Sequence, residues 1–247
     1  MNEQKFTGKA EFYEKYRPSY PNELIDYLYE NARCDNVADI GAGTGKFTRC
    51  LLQKPWRVTA VEPNSDMRGK LSDIKGITLV NAPAENTGLS EHSFGLVTAA
   101  QAFHWFNEEA FKQECKRILT PNGKVAIIWN NFVKEGLAAR QTELCCKFCA
   151  DFKSSGGHTG RRSDKEGDKF LRGGYFRELD VVEFSGERVF DHDSFIGETL
   201  SRSYAPRAGE PNYEPLIDEL NVLFSEFESE ENKAAVKTNT VCYLGSF

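Results

Sequence analysis

The stretch "VADIGAGTGKF", residues 37–47, decides the fold. Its first residues are compact and apolar, and Gly41, Gly43 and Gly45 separate them from "KFTRCLLQK", a segment with helical apolar spacing. The pattern predicts a strand, a tight turn and a helix. Because glycine adopts positive φ and has no Cβ, a ligand can approach the backbone of this turn closely, beside the N–H groups of the helix start. We expect a nucleotide there, and a purely structural turn is the alternative.

A second apolar stretch, "RVTAVEP" at residues 57–63, carries an acidic residue near its end, Glu62. Glu62 follows Gly41 by 21 residues, close to the offset of about 20 residues at which a carboxylate binds the hydroxyl groups of a ribose. A solvated strand end is the alternative explanation for this acid. The spacing favours a nucleotide site formed where the two strands end.

The spacing of the glycines argues against a dinucleotide. The fingerprint of nicotinamide and flavin sites is G-x-G-x-x-G, whereas here the third glycine, Gly45, arrives one residue early and Lys46 takes its place. Asp39, just before the turn, would repel a pyrophosphate and attract a positively charged amino-acid group. S-adenosyl-L-methionine has an ammonium, a sulfonium, a ribose and an adenine but no phosphate, so it fits the pattern better than a dinucleotide.

Composition and charge narrow the class of protein. The chain of 247 residues is 40% hydrophobic, and it has no apolar run of the ~18–20 residues needed to cross a bilayer. Its first residues are charged and lack the apolar segment of a secretory signal. The net charge of −6 disfavours nucleic acid as a partner. We therefore expect a cytoplasmic protein, a monomer or homodimer, that acts on a small molecule and binds neither nucleic acid nor membrane.

The cysteines are expected to be reduced thiols. There are seven, an odd number, in a sequence without a secretory signal. In the cluster "CCKFC", helical spacing places Cys145 and Cys149 on one face and turns Cys146 away. No second C-x-x-C pair completes a set of four ligands, so we expect no metal site.

Strand and helix patterns alternate along the chain, which predicts a parallel sheet with helices on both faces and a ligand site at the carboxyl ends of the strands. Residues 152–176, rich in glycine, serine and charge, are predicted to form a long loop, either a lid or a disordered insertion. The predicted strands are 37–40, 57–61, 77–81, 94–100, 124–129, 179–190 and 236–246, and the predicted helices are 21–32, 45–53, 64–74, 107–119, 134–151, 191–201 and 211–229.

The motifs "VADIGAGTGKFT", "VEPNSDM", "NAPAENTGL", "AAQAFHWFN" and "LTPNGKVAIIWN", in this order, resemble those of class I S-adenosylmethionine-dependent methyltransferases. The resemblance covers most of residues 10–130. "FYEKYRPSYP" and "AQAFHWF" are similar to a small-molecule branch that includes trans-aconitate-type and ubiquinone/menaquinone-type methyltransferases. One departure is Gly95 in "SFGLV", where the family usually has an acidic residue with a mostly structural role.

The resemblance implies an α/β fold with a Rossmann-like, doubly wound, mostly parallel seven-stranded sheet, an antiparallel edge strand and a small helical cap. We expect residues 1–247 to form a single domain. Its parts are an N-terminal arm and helix (1–36), a cofactor-binding core (37–132), substrate-side helices with a lid loop and cap (133–232) and a closing strand (233–247).

The resemblance and the turn together predict the cofactor site. Arg17 is expected to bind the methionine carboxylate through its forked guanidinium, with a surface salt bridge as the alternative. The predicted cofactor-binding residues are Tyr16, Arg17, Asp39, Gly41, Gly43, Glu62, Pro63, Met67, Ala84, Glu85, Gln101 and Ala102.

The predicted activity is transfer of a methyl group from S-adenosyl-L-methionine to oxygen, carbon or nitrogen of a small organic acceptor. His104 is the candidate catalytic base, since an imidazole titrates near neutral pH, and packing near the cofactor is its alternative role. Trp105, Ser203 and Tyr204 are the candidate acceptor-binding residues. The leading alternative function is a cofactor-binding protein without turnover. A dehydrogenase is the third possibility, because the glycine spacing differs from the fingerprint of nicotinamide sites.

Overall fold

The computed structural model describes residue 16, residues 19–150, residue 152 and residues 164–247, and for 164–166 it describes the backbone alone. Arg17 and residues 153–163 of the predicted lid lie outside the described residues. The roles predicted for them therefore stay predictions.

The strands form a single seven-stranded sheet in the order β3-β2-β1-β4-β5-β7-β6. The first five strands are parallel, and β7 runs antiparallel to both of its neighbours. The Rossmann-like fold predicted from the sequence is confirmed. The antiparallel strand is β7, one place in from the edge, and the edge strand β6 runs in the same direction as β5, because the last strand of the chain inserts between them. The strands are β1 (Asn36–Ile40), β2 (Arg57–Val61), β3 (Ile77–Val80), β4 (Phe94–Ala100), β5 (Leu119–Phe132), β6 (Glu178–Phe190) and β7 (Ala234–Ser246).

The helices connect the strands and cover both faces of the sheet. None of the helices in the described ranges is both long enough and apolar enough to span a membrane. The helices are α1 (Asn22–Ala32), α2 (Lys46–Leu51), α3 (Ser65–Leu71), α4 (Glu108–Ile118), α5 (Gly136–Phe148), α6 (Asp164–Phe170), α7 (His192–Leu200) and α8 (Tyr213–Phe227).

Two cores lie on opposite faces of the sheet because neighbouring residues of a strand point to opposite sides. In β1, Val37 joins a core with Leu24 and Leu28 of α1. The next residue, Ala38, joins a second core with Phe111 of α4. Both faces of β1 are therefore buried, which explains why its apolar residues do not alternate with exposed polar ones.

A third apolar cluster lies around α5, α7 and α8, the predicted cap. It buries Leu137 of α5, Phe195 of α7 and Leu220 of α8, together with Phe190 at the end of β6. We call it the cap cluster. Cys145 in α5 and Cys149, directly after its end, are buried and Cys146 is exposed, as the helical spacing predicted. All seven cysteines lie within the described part of the chain, and each is a thiol.

The prediction of a loop over residues 152–176 is wrong for its second half. Residues 164–170 form α6, and the chain turns at Gly173 and Gly174, where the backbone leaves the helical conformation and Gly174 has a φ of +102°. The reason is burial: Leu171 and Tyr175 enter the core of the α4 face, and the Asp168 carboxylate accepts hydrogen bonds from Arg172 Nε at 2.6 Å and from the Tyr243 hydroxyl at 2.7 Å. The apolar residues of this glycine-rich segment outweigh its polar composition.

Gly95, the departure from the family pattern, is explained by close packing. A Cβ at this position would overlap the side chain of Cys34. The register of β4 against β5 also shifts between Phe94 and Leu96. The missing acid is thus replaced by a close contact between β4 and the segment that leads into β1.

Candidate active site

A cavity of about 390 Å³ lies where β1, β2 and β4 end. We call it the first cavity. In the strand order, β2 and β4 lie on opposite sides of β1, so the connections diverge here, and this is the switch point at which open parallel sheets bind ligands. Its walls come from the glycine turn after β1, the residues that follow β2 and β3, and the segment that follows β4.

Gly43 is the point at which the turn opens to the cavity. Its φ is +59°, and a Cβ added there would meet no atom of the described residues within 4 Å. At Gly41 a Cβ would lie 2.7 Å from Cβ of Ala102, and at Gly45 it would overlap Ile74. Gly41 and Gly45 are therefore required by packing, whereas the space beside Gly43 is the cavity itself. The turn thus fits a ligand that contacts the backbone directly.

Glu62 joins the end of β2 to the glycine turn. One carboxylate oxygen accepts a hydrogen bond from the Gly43 N–H and the other from the Asn64 N–H, both at 2.8 Å. The residue borders the cavity and is nearly buried. Because a carboxylate has about four acceptor positions, these bonds fix its orientation and leave acceptor capacity for a ligand hydroxyl.

Asp39 borders the cavity from within the sheet and is buried. Its carboxylate accepts hydrogen bonds from Thr48 Oγ1 at 2.6 Å and Thr98 Oγ1 at 2.9 Å. Burial raises the pKa of this carboxyl to about 6, against the opposite effect of the two hydroxyls. The structure therefore places an acid held by neutral donors next to the ligand space.

Gln101 and Glu85 also border the first cavity. Gln101, which follows β4, has a φ of +54°, a strained value for a residue with a side chain. Its backbone N–H donates to Ile128 O at 2.8 Å and its Nε2 donates to Asn130 O at 2.5 Å. On the other wall, Glu85 accepts a hydrogen bond from the Asn107 N–H at 2.7 Å. Both side chains are fixed by the backbone of a neighbouring segment.

The charge of the lining favours a ligand with positive charge and hydroxyl groups. Among the described residues that border the first cavity, Asp39, Glu62 and Glu85 are acidic and Lys46 is basic. Such a lining repels phosphate and attracts an ammonium or a sulfonium. The chemistry of the donor set therefore fits S-adenosylmethionine.

Most of the predicted site residues border the first cavity. Tyr16 is an exception: its ring packs against Gly197 of α7, and its carbonyl accepts a hydrogen bond from Arg188. The predicted residues that line the cavity are Asp39, Gly41, Gly43, Glu62, Pro63, Met67, Ala84, Glu85, Gln101, Ala102 and Trp105.

The structure does not bring the other predicted catalytic and acceptor residues into this lining. His104 is buried in a short 3₁₀ turn, with its ring 4.9 Å from that of Trp105. Tyr204 lies in the cap cluster, where its ring is 4.8 Å from Phe152 and its hydroxyl accepts a hydrogen bond from Arg202. Ser203, next to it, is partly exposed.

Sequence reasoning missed several residues of the lining. Tyr20 borders the cavity from the segment before α1, and its ring meets Phe47 edge-on at 4.8 Å. The "RPSYP" motif drew attention to this segment but not to Tyr20 itself. Phe47 is recognisable as the first buried residue after the glycine turn. Phe106 and Asn107 follow the "AFHW" segment, and only the structure shows that they border the first cavity.

Comparison with known proteins finds a family model that matches the core of the sheet. Residues 38–127 match the family model described as a methyltransferase domain, which spans β1 to the middle of β5. The match supports a class I methyltransferase with S-adenosylmethionine as its cofactor, the class that the fold and the cavity indicate.

Particular relatives agree with this class. An uncharacterized methyltransferase of Mycobacterium bovis is 38% identical over 119 residues, which are 48% of this chain and 49% of the relative. A Saccharomyces cerevisiae protein named "Probable S-adenosylmethionine-dependent methyltransferase" is 31% identical over 124 residues, 46% of this chain and 43% of that protein. The chain spans about half the length of the curated relatives it matches.

A solved structure extends the similarity to the whole fold. The structure described as a "Putative Type II Methyltransferase" from Anaeromyxobacter dehalogenans has a TM-score of 0.69 at 23% identity, over 94% of this chain and 98% of the other. The similarity therefore includes β6, β7 and the cap, which lie outside the family match.

Proposed function

We propose that this chain transfers a methyl group from S-adenosylmethionine to a small organic acceptor. The observation that carries the proposal is the first cavity, with its open glycine turn and acidic lining at the switch point of the sheet. The proposal extends the class supported by the family match to the activity of the whole chain.

Each wall of the cavity has a role in this proposal. Glu62 accepts hydrogen bonds from the ribose hydroxyls, because its carboxylate is already oriented by two backbone N–H groups. Asp39 attracts the positively charged methionine portion through its field, since its oxygens are engaged by Thr48 and Thr98. The turn at Gly43 lets the cofactor contact the backbone closely, because no side chain is present there.

S-adenosylmethionine would supply an activated methyl group, because its sulfonium sulfur would keep the electron pair of the broken C–S bond. An electron pair of the acceptor would form the new bond, and any proton displaced from the acceptor would be released to solvent after transfer. The chain has to align the acceptor and exclude water. The His104 ring lies 4.9 Å from that of Trp105 and the residue does not border the first cavity, so we assign it packing near the cofactor, the alternative to a base. We also propose that the acceptor atom is oxygen, carbon or nitrogen. The same proposal includes membership of the branch with trans-aconitate-type and ubiquinone/menaquinone-type methyltransferases.

The test is transfer of label. The protein is incubated with methyl-tritiated S-adenosylmethionine and a small-molecule cell extract, and labelled products are identified by mass spectrometry. We expect label in a small molecule, lost in the Gly43→Val variant. Binding of S-adenosylhomocysteine without transfer from any extract would instead support the alternative, a binding protein without turnover.

A further inference from the structure

A second cavity of about 370 Å³ lies between the segment before α1 and the face of β5, β7 and β6 that carries α1. The strand register places its floor in two rows. Asn130, Thr240 and Phe184 are paired across the three strands, and Thr238 and Gly186 are paired in the next row. At Gly186 a Cβ would lie only 2.9 Å from Thr238 Oγ1, so the Thr238 hydroxyl packs directly against the Gly186 backbone.

The second cavity adjoins the first through one layer of residues. Tyr20 borders both cavities. Gln101, in the lining of the first, donates to the carbonyl of Asn130, which borders the second. The Asn130 side chain in turn donates to the carbonyl of Ser19 at 2.9 Å. These hydrogen bonds connect the linings of the two cavities through Asn130.

We propose that the second cavity is the acceptor site of the methyl transfer proposed above, on which this inference rests, and that it takes a small uncharged molecule with hydroxyl or carbonyl oxygens. Methyl transfer requires reacting atoms about 3–3.5 Å apart. The acceptor therefore extends from the second cavity past Tyr20 toward the methyl group, and Tyr20 is a positioning residue.

The polarity of the lining sets the class of acceptor. Thr238, Thr240 and Asn130 offer hydroxyl and amide groups, which bond neutral oxygen-bearing molecules without selecting a charge. The charged residues that border the cavity, Glu187 and Arg188, are opposite in sign and adjacent in sequence. The Arg188 guanidinium donates to the Tyr16 carbonyl and lies over the Phe190 ring at 4.5 Å, so it is held by the protein.

Tyr20 is held in place as a positioning residue must be. Its ring is fixed edge-on against Phe47 at 4.8 Å, and Phe47 is itself buried at the start of α2. Tyr20 lies two positions before Asn22, the first residue of α1, and the helix starts with a hydrogen bond from the Leu24 N–H to the Pro21 carbonyl. Movement of Tyr20 would disturb both contacts, so an acceptor meets a fixed wall.

The experiment fills the second cavity without touching the first. Thr238→Trp places an indole in it, and Lys237→Trp is the matched control, with the same side chain on the exposed opposite face of the same strand. We expect both variants to bind S-adenosylhomocysteine within about 2-fold of wild type by calorimetry. Label transfer from the extract falls at least 10-fold in Thr238→Trp and stays at the wild-type rate in the control. Wild-type transfer by Thr238→Trp overturns the inference.

A binding measurement separates this inference from the proposed function. Wild type and both variants are mixed with S-adenosylhomocysteine and extract, isolated by gel filtration and analysed for retained metabolites. We expect an uncharged metabolite retained by wild type and Lys237→Trp but not by Thr238→Trp, even if no label is transferred and the proposed activity fails. Equal retention by all three proteins, or retention by none, overturns the acceptor site.

A milder variant covers the case in which Thr238→Trp does not fold. Thr240→Val removes one hydroxyl from the cavity floor at nearly constant volume. We expect KM for the identified acceptor to rise 3- to 10-fold, with affinity for S-adenosylhomocysteine unchanged. An unchanged KM contradicts the assignment.

Discussion

The first cavity and the cap cluster both bury charged groups, but they stabilise them in different ways. In the cavity, the carboxylate of Asp39 is held by the neutral hydroxyls of Thr48 and Thr98. In the cap cluster, the carboxylate of Glu198 is paired with the guanidinium of Arg202 at 3.1 Å and also bonded by the Gln141 amide at 3.2 Å. The cap therefore neutralises its charge within the protein, whereas the cavity keeps a negative charge beside the ligand space.

This difference separates a binding region from a structural one. A buried charge neutralised by a protein partner contributes to packing and its loss costs stability. A charge held by neutral donors still attracts an ion of opposite sign from outside. Variants in the first cavity should therefore change affinity, and variants in the cap should change stability.

The largest effect is expected from Gly43→Val. Valine is strained at a φ of +59° and its methyl groups would point into the first cavity. We expect S-adenosylhomocysteine affinity to fall at least 100-fold in calorimetry. Gly88→Val is the control, because Gly88 has a φ of +69° with open space around it but does not border the cavity. Similar destabilisation of both variants, with binding lost only at Gly43, confirms the site; normal binding by Gly43→Val means that the turn is not the site.

Glu62→Gln should weaken S-adenosylhomocysteine binding by about 1.5 to 3 kcal/mol, because a charge-assisted hydrogen bond to the ribose is lost. Titration calorimetry measures the change. Glu230→Gln, in an exposed loop, removes the same charge and should leave affinity unaltered. Equal affinities for the Glu62 variant and wild type would count against the ribose contact.

Glu198→Gln should lower the free energy of unfolding by about 2 kcal/mol, because it breaks the ion pair with Arg202. The value is below that of a fully buried pair, since the Arg202 side chain is 18% exposed. Urea denaturation measures it, and S-adenosylhomocysteine affinity at 25 °C should be unchanged. A loss of affinity with no loss of stability would reverse the distinction between cap and cavity.

The smallest effect is the pH dependence that Asp39 gives to binding. With its pKa near 6, this carboxyl becomes protonated as the pH falls from 7.5 to 5 and no longer attracts the ligand ammonium. We expect wild-type affinity for S-adenosylhomocysteine to fall several-fold over this range. Asp39→Asn should bind several-fold more weakly at pH 7.5 and vary less with pH. Parallel pH profiles for the two proteins would exclude this role.

Protonation of Asp39 should also change the stability of the protein, but in the opposite direction: as the pH falls, affinity decreases and stability increases. The folded protein binds the Asp39 proton more tightly than the unfolded chain does, because burial raises the pKa from 3.8 to about 6. Relative to Asp39→Asn, the wild-type free energy of unfolding should therefore rise as the pH falls from about 6 to about 4. Urea denaturation of both proteins across this range measures the difference.

Local sequence patterns were sufficient to predict most elements of this fold. Outside residues 152–176, each predicted strand and helix is present, and the largest boundary difference is at β5, which begins at Leu119 instead of 124. Apolar periodicity and the glycine turn act over a few residues, so they are visible in the sequence. Glu62 was found in the same way, because parallel strands that end side by side bring their next residues together.

The tertiary structure decided which distant side chains meet. Tyr16 packs against Gly197 and Ser19 bonds to Asn130, pairs separated by more than a hundred residues. Composition favoured a loop where Leu171 and Tyr175 instead join the core. His104 is buried outside the lining that its neighbour Trp105 joins.

The sequence by itself determined the sheet, the glycine turn and the acidic residues at the strand ends, because these depend on backbone conformation and spacing along the chain. Only the tertiary structure decided the second cavity, the wall formed by Tyr20 and the ion pair of Glu198 with Arg202. These depend on how β6, β7 and the cap pack against the first half. Packing depends on the shapes of surfaces formed by residues that are distant in sequence, and a local sequence pattern does not determine those shapes.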